Sequence, residues 1–187
     1  MLKWFLIIIL LTVPVAIWAF FKPVRVLAPE LTGIFCASSH ICIDDKSHVE
    51  KATYLYEEAL HFIENSLASI ESKPRVIFCA SSACAQSFGL GKRSAITVST
   101  FGIIVGPRAW EPHYLRHEMI HYVQFEKLGT LKAWFGSPKW LTEGMAYYLS
   151  EDPRSELAEP FESYRSEFAS WYQQVGRDNL WTEADKL

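Results

Sequence analysis

The pattern of apolar and polar residues separates an apolar N-terminal stretch from a longer region of mixed helices and strands. Residues 4–21 carry no charge, and a run of this length can cross the hydrocarbon core of a membrane as a helix. Trp4 and Trp18 lie near its ends, where interfacial aromatic residues occur. We expect residues 1–25 to form a transmembrane anchor, with a cleavable signal peptide as the alternative.

The rest of the chain predicts a linker followed by one domain. Residues 26–46 contain Pro29 and Gly33 and show no period, so we expect an irregular linker. A capping box at Ser47–Glu50 opens a helix whose apolar residues form one stripe. Segments rich in β-branched residues predict three strands, at residues 75–79, 95–100 and 102–105. Residues 47–187 are therefore predicted to form the folded domain.

Three more helices are predicted in the second half of the chain. Pro112 suits the first turn of a helix that should end near Gly129. A second helix should end near Ser150, because Asp152-Pro153 follows, and a third is expected over residues 160–175. We therefore expect an α+β fold in which a small, mostly antiparallel sheet packs against helices.

Composition and charge exclude one class of partner. Half of the residues are hydrophobic, which is enough for a core, and the net charge is −3. Without residues 1–25, which carry three basic and no acidic residues, the net charge is −6. The sequence has no basic patch and no phosphate-binding glycine loop, so a nucleic-acid partner is not expected.

The cysteines bear on the compartment of the domain. Four of them occur as two close pairs: Cys36 with Cys42, and Cys79 with Cys84. An even number in close pairs is typical of disulfides in an exported domain. Three connectivities exist, of which the two local pairs are the simplest. We expect a periplasmic or extracellular domain, whereas Lys22 and Arg25 weakly favour a cytoplasmic one by the positive-inside rule.

The strongest chemical signal is the sequence HEMIH at residues 117–121. His117 and His121 are four residues apart, so a helix places both imidazoles on one face. Glu118 lies between them, within reach of a water on a metal that the histidines hold. The alternative is a polar helix face with two solvated histidines. We expect a metal site with Glu118 as general base.

A third metal ligand is expected on the following helix. Catalytic zinc usually has three protein ligands and one position for water. Glu143 has apolar neighbours at helical spacing, so it lies on a partly buried helix, where a lone carboxylate needs a partner. A metal shared with His117 and His121 would be that partner. The alternative is a first-turn glutamate that the helix dipole stabilises.

These motifs resemble those of the gluzincin metallopeptidases, the clan of thermolysin and related aminopeptidases. The likeness lies in HExxH at 117–121 followed by WLxEGxA at 140–146, and it spans about residues 95–150. It implies that His117, His121 and Glu143 bind zinc and that Glu118 activates water. Many gluzincins have an acidic residue one turn after the third ligand to orient a ligand histidine, where this chain has Tyr147.

The resemblance also implies a substrate and a mode of binding. It implies peptide or protein substrates, and extended substrate paired with residues 101–105. Four residues are candidate donors to the oxyanion: Tyr148, Tyr164, Tyr172 and His113. We expect a zinc metallopeptidase anchored in a membrane. The alternatives are a membrane-tethered binding or assembly protein on a peptidase-like fold, and a structural module in which HEMIH is accidental.

Overall fold

A computed structural model of the chain describes Lys3, Leu10, residues 12–14, residues 16–18 and residues 20–187. Half of the predicted transmembrane segment, nine of residues 4–21, lies outside the described residues. Among those that are described, no helix has both the length and the apolar character needed to cross a bilayer.

The described residues form a mixed α+β fold, as predicted. The five strands are β1 (Phe35–Cys36), β2 (Ile41–Ile43), β3 (Val76–Phe78), β4 (Ala95–Val98) and β5 (Gly102–Val105). The α-helices within 20–187 are α1 (Val49–Ser66), α2 (Ser82–Ser87), α3 (Pro112–Leu128), α4 (Lys139–Leu149), α5 (Phe161–Val175) and α6 (Leu180–Ala184). One turn of π-helix, Lys132–Gly136, connects α3 to α4.

The strands form one sheet in the order β1-β2-β3-β5-β4. The two outer pairs are antiparallel, but β2–β3 and β3–β5 are parallel. The prediction of a mostly antiparallel sheet is therefore wrong. Strand direction is set by the crossovers, since α1 returns the chain from β2 to a parallel β3. The fully buried, continuously apolar β3 and β5 are typical of parallel strands.

The prediction of an irregular linker over residues 26–46 is also wrong. This region supplies β1 and β2, and Val26 is fully buried against the sheet. Strands of two and three residues are too short to show an alternating pattern, so the sequence gives no periodic signal for them. The sheet therefore begins at Phe35, before the predicted domain boundary at residue 47.

Alternate residues of the central strands pack on opposite sides of the sheet. One face, which includes Val76, Phe78 and Ile103, lies in the main core with α1, α3, α4 and α5. The other face, which includes Ile77 and Ile104, packs against a smaller cluster beside α2. Helix α3 therefore packs, within the main core, on the first of these two faces of the sheet.

Both local disulfides are present, as the spacing of the cysteines predicts. Cys36–Cys42 joins the neighbouring strands β1 and β2, and Cys79–Cys84 joins the end of β3 to α2. Each bond therefore closes a short loop on the smaller cluster of the core. No cysteine within residues 20–187 is left free.

Candidate metal centre

Helix α3 presents His117 and His121 side by side. Pro112 occupies its first turn, and the chain leaves the helix at Gly129, whose φ is +80°. The two Nε2 atoms lie 3.1 Å apart. Leu115, Met119 and Val123 are fully buried in the main core on other positions of α3, so packing fixes the rotation of the helix about its axis.

Helix α4 brings Glu143 to the same point. Its Oε2 lies 3.8 Å from Nε2 of His117 and 3.7 Å from Nε2 of His121. The next residue, Gly144, passes so close to the backbone carbonyl of Tyr164 that no Cβ would fit. This close contact lets α4 pack tightly on α5. The packing fixes the position of Glu143 relative to α3.

The three donor atoms fit a zinc ion. A point in their plane lies about 2.1 Å from all three atoms, which is the usual bond length from zinc to imidazole nitrogen or carboxylate oxygen. Two histidines and one glutamate form the ligand set of a catalytic zinc with a position left for water. Within the described residues, one other grouping of ligand types exists, Glu30 with Cys36 and Cys42, but its two sulfurs form a disulfide.

In the metal-free site the pKa values of the two histidines shift in opposite directions. Burial, with the nearby charge of His121, lowers the pKa of His117 to about 3. For His121, burial acts in the same direction, but the Glu143 carboxylate outweighs it and raises the pKa to about 9. Burial also opposes ionisation of Glu143, yet the two histidines hold its pKa at about 2. His121 and Glu143 therefore form an ion pair when no metal is bound.

Glu118 points into the same site from the side of the sheet. The Oγ1 atom of Thr97, on β4, lies 2.7 Å from both Oε2 and the backbone oxygen of Glu118. Burial raises the pKa of Glu118, while the charge of His121 and the hydrogen bond from Thr97 act in the opposite direction. A carboxylate with a raised pKa that is held in one orientation can accept and return a proton.

Gln124 orients one of the ligand histidines. Its Oε1 atom lies 2.8 Å from Nδ1 of His121, and its Nε2 atom donates a hydrogen bond to the backbone oxygen of Thr142 on α4. Because Nδ1–H of His121 donates to this amide, Nε2 is directed to the metal position. Tyr147 instead packs its ring edge-on against His117 at a centroid distance of 4.5 Å.

The three predicted ligands and Glu118 line a cleft of about 760 Å³. Residues of β4, α3 and α4 line it, together with Asp152 and Arg154 after α4. Substrate was expected along residues 101–105, but β5 lies between β3 and β4, so that prediction is wrong. β4 is instead the edge strand, because the β4–β5 hairpin adds its first strand on the outside of the sheet.

The structure reduces the four candidate donors to the oxyanion to one, by which of them line the cleft. Of the four, His113 alone is among the described residues that line the cleft. The rings of Tyr148 and Tyr172 contact Phe168 between α4 and α5, and Tyr164 lies behind Gly144. The interpretation of these three tyrosines as candidates is therefore wrong, because Tyr148 of α4 and Tyr164 and Tyr172 of α5 lie where these two helices pack on each other.

Several residues of the cleft were not identified from the sequence, among them Thr97, Tyr114, Asp152 and Arg154. Thr97 lies on a strand with an ordinary β pattern, and Asp152-Pro153 indicates only a helix end. Tyr114 lies on the HEMIH helix itself, but nothing in the sequence connects the segments of Thr97 and Arg154 to that helix, since they meet it only through the fold.

Comparisons with known proteins add no assignment. No protein-family model matches the sequence, and neither curated proteins nor solved structures give a match. The function therefore has to be inferred from the residues and geometry of the cleft.

Proposed function

We propose that this chain is a zinc-dependent metallopeptidase of the gluzincin type, with His117, His121 and Glu143 as metal ligands. The spacing of their three donor atoms around a single point is the observation that carries the proposal. Zinc at that point would supply Lewis acidity to a water molecule and to the scissile carbonyl group.

Glu118 acts as the general base in this proposal. Its carboxylate takes a proton from the attacking water and returns it to the leaving amine. Thr97 holds Oε2 of Glu118, which limits the orientations of the carboxylate. His113 is the remaining candidate donor to the oxyanion from the original four, because it lines the cleft.

Strand β4 is the surface against which an extended peptide would lie. It has a neighbouring strand on one side in the described sheet, and its residues line the cleft. Backbone pairing with an edge strand is a common way to bind peptides with little dependence on their sequence. We further propose that residues 4–21 anchor the domain in a membrane and that the two disulfides form outside the cytoplasm.

A second candidate is a membrane-tethered binding or assembly protein with little or no turnover. Tyr147 favours it, because its ring packs against His117 where many gluzincins have a carboxylate that orients a ligand. Gln124 supports the first candidate, since it orients His121 from the other side. The two proposals share the metal and differ in whether peptides are cleaved.

The test is to measure metal content and peptide cleavage for the full chain and three variants. We expect one zinc per wild-type chain, and loss or strong weakening of zinc binding in both His117→Ala and Glu143→Ala. Glu118→Gln should retain zinc and lose at least about a hundredfold in turnover, the usual contribution of a general base.

Each result separates the candidates. No stoichiometric metal in folded wild-type protein would refute both. Zinc binding without cleavage of any peptide in a broad library would favour the binding protein. Unchanged zinc binding in Glu143→Ala would show that the third ligand is another residue. Turnover that persists in Glu118→Gln would show that Glu118 is not the general base.

A further inference from the structure

The cleft carries an excess of positive charge outside the metal centre, although the chain as a whole is acidic. Its described lining contains four basic residues: Lys92, Arg93, Lys139 and Arg154. The acidic residues of that lining are Glu118, Glu143 and Asp152. The first two belong to the metal centre and the third is paired with Arg154. A peptide in the cleft would therefore meet a positive surface.

Arg154 is held in place beside the metal centre. The Asp152 side chain is 2 % exposed and accepts hydrogen bonds from the backbone nitrogen, Nε and Nη2 of Arg154. The guanidinium group also lies over the rings of Tyr114 and Tyr147, at 5.9 and 5.7 Å from their centroids. Tyr147 in turn packs on His117, so one aromatic ring separates the guanidinium from a predicted metal ligand.

This arrangement suits recognition of a carboxylate. The Arg154 side chain is 44 % exposed and faces the cleft. Asp152 accepts from Nε and Nη2, and the guanidinium also interacts with the Tyr147 hydroxyl, but its five N–H groups exceed these partners, so it can still donate to a second anion. A guanidinium group matches the geometry of a carboxylate, and one that is already fixed loses less conformational entropy on binding. Lys92 and Arg93, which precede β4, extend the positive surface along the strand.

We infer that the cleft selects peptides that carry a carboxylate close to the bond held at the metal centre, with Arg154 as the recognising residue. The carboxylate belongs either to an acidic side chain or to a free C terminus. This inference rests on the proposed function, because it names the substrate class of the same site. It concerns binding, however, and is measurable without turnover.

The experiment uses the full chain with Glu118→Gln, in detergent micelles, and fluorescent peptides of otherwise identical sequence. One peptide is neutral with an amidated C terminus, one has Glu in place of a central Gln, and one has a free C terminus. At low ionic strength we expect at least one anionic peptide to bind about fivefold or more tightly than the neutral peptide, with the preference declining as salt is added. Whichever anionic peptide is preferred identifies the source of the carboxylate.

Arg154→Gln should abolish most of the preference, measured as the ratio of the affinities of the anionic and the neutral peptide for the same variant. Lys92→Gln with Arg93→Gln, at exposed positions, should reduce it without disturbing the Asp152 pair. Lys73→Gln is the matched control, since Lys73 is exposed and is not among the cleft residues, and it should have no effect.

Equal binding of all three peptides, no binding of either anionic peptide, or a preference that survives in folded Arg154→Gln would overturn the inference. Cleavage of neutral peptides by the wild-type chain would then leave the proposed function standing. A preference for carboxylates in a chain that holds no zinc and cleaves no peptide would refute the proposed function and keep the inference.

Discussion

Two neighbouring residues on α3 belong to charged clusters of different kinds. Arg116 donates from Nε to Oε1 of Glu58 at 3.0 Å, and from Nη1 to Glu151 at 2.7 Å. Its guanidinium also lies 3.9 Å from the centroid of Phe62. Every charge in this cluster has a direct partner, and the cluster joins α1, α3 and the segment after α4.

The charges of the cluster around His117 are paired at longer distances. Glu143 lies 3.7 and 3.8 Å from the two imidazoles, beyond normal hydrogen-bond distance, and all three donor atoms surround one point. A structural ion cluster brings opposite charges into contact, whereas a metal site directs several donors to a shared position. Arg116 is therefore expected to contribute more to the stability of the metal-free fold than His117, whose imidazole lies 3.8 Å from the carboxylate of Glu143.

The largest predicted difference is between Arg116→Ala and His117→Ala. Arg116 and Glu58 are 16 % and 20 % exposed, so removing the arginine leaves a largely buried carboxylate without its partner. We expect the free energy of unfolding to fall by about 2–3 kcal/mol, somewhat below the cost of breaking a fully buried pair. Zinc content should not change. The measurement is urea denaturation with a chelator present, beside zinc analysis without it.

His117→Ala should give the opposite result. Zinc binding is lost, while the metal-free protein changes in stability by less than about 1 kcal/mol, because His117 lacks a directly bonded carboxylate. Glu58→Gln is the control for Arg116→Ala, since it weakens the same pair from the other side. A greater loss of metal-free stability in His117→Ala than in Arg116→Ala would contradict the distinction between the clusters.

A smaller effect is expected from Gln124, which connects His121 to α4. Gln124→Leu introduces an apolar side chain of similar size and removes both the acceptor for Nδ1 of His121 and the hydrogen bond to Thr142. Loss of such a partner typically weakens metal binding by about 10–100-fold. Zinc affinity can be measured by competition with a chromophoric chelator. Gln173→Leu, at an exposed position on α5, is the control, and equal affinities in both variants would remove the orienting role of Gln124.

The parts of the site that lie on single helices were predictable from the sequence. The spacing of His117 and His121 places them on one face of α3, and the apolar neighbours of Glu143 predict α4. The local disulfides followed from the close spacing of the cysteines in each pair. Each of these features depends on residues within a few turns of one another, which is the range over which periodicity and capping carry information.

The parts that depend on long-range pairing were not predictable. The parallel direction of β2–β3, the outer position of β4 and the contact between Thr97 and Glu118 are set by the sheet as a whole. Arg154 reaches the cleft because α4 ends at Leu149 and the chain turns back towards Tyr114 and Tyr147. Local sequence patterns do not predict which distant segments will contact the residues that follow a turn.

The last prediction is that zinc binding releases a proton from the ion pair between His121 and Glu143. Glu143 raises the pKa of His121 to about 9, so this histidine carries a proton at pH 7. A metal binds only the neutral imidazole. We therefore expect each zinc to release about one proton at pH 7, and the apparent affinity to rise about tenfold per pH unit up to about pH 9. Calorimetry in two buffers of different ionisation enthalpy counts the protons.

The control for this prediction is Glu143→Gln without metal. The amide cannot supply the negative charge, so the burial of His121 is no longer opposed by it and its pKa should fall well below 9. Imidazole chemical shifts from NMR at several pH values would show the change directly. No proton release at pH 7 would mean that His121 is already neutral. The metal-free site would then be a set of neutral donors beside a lone carboxylate, and of the two clusters on α3 the one around Arg116 alone would contain paired charges.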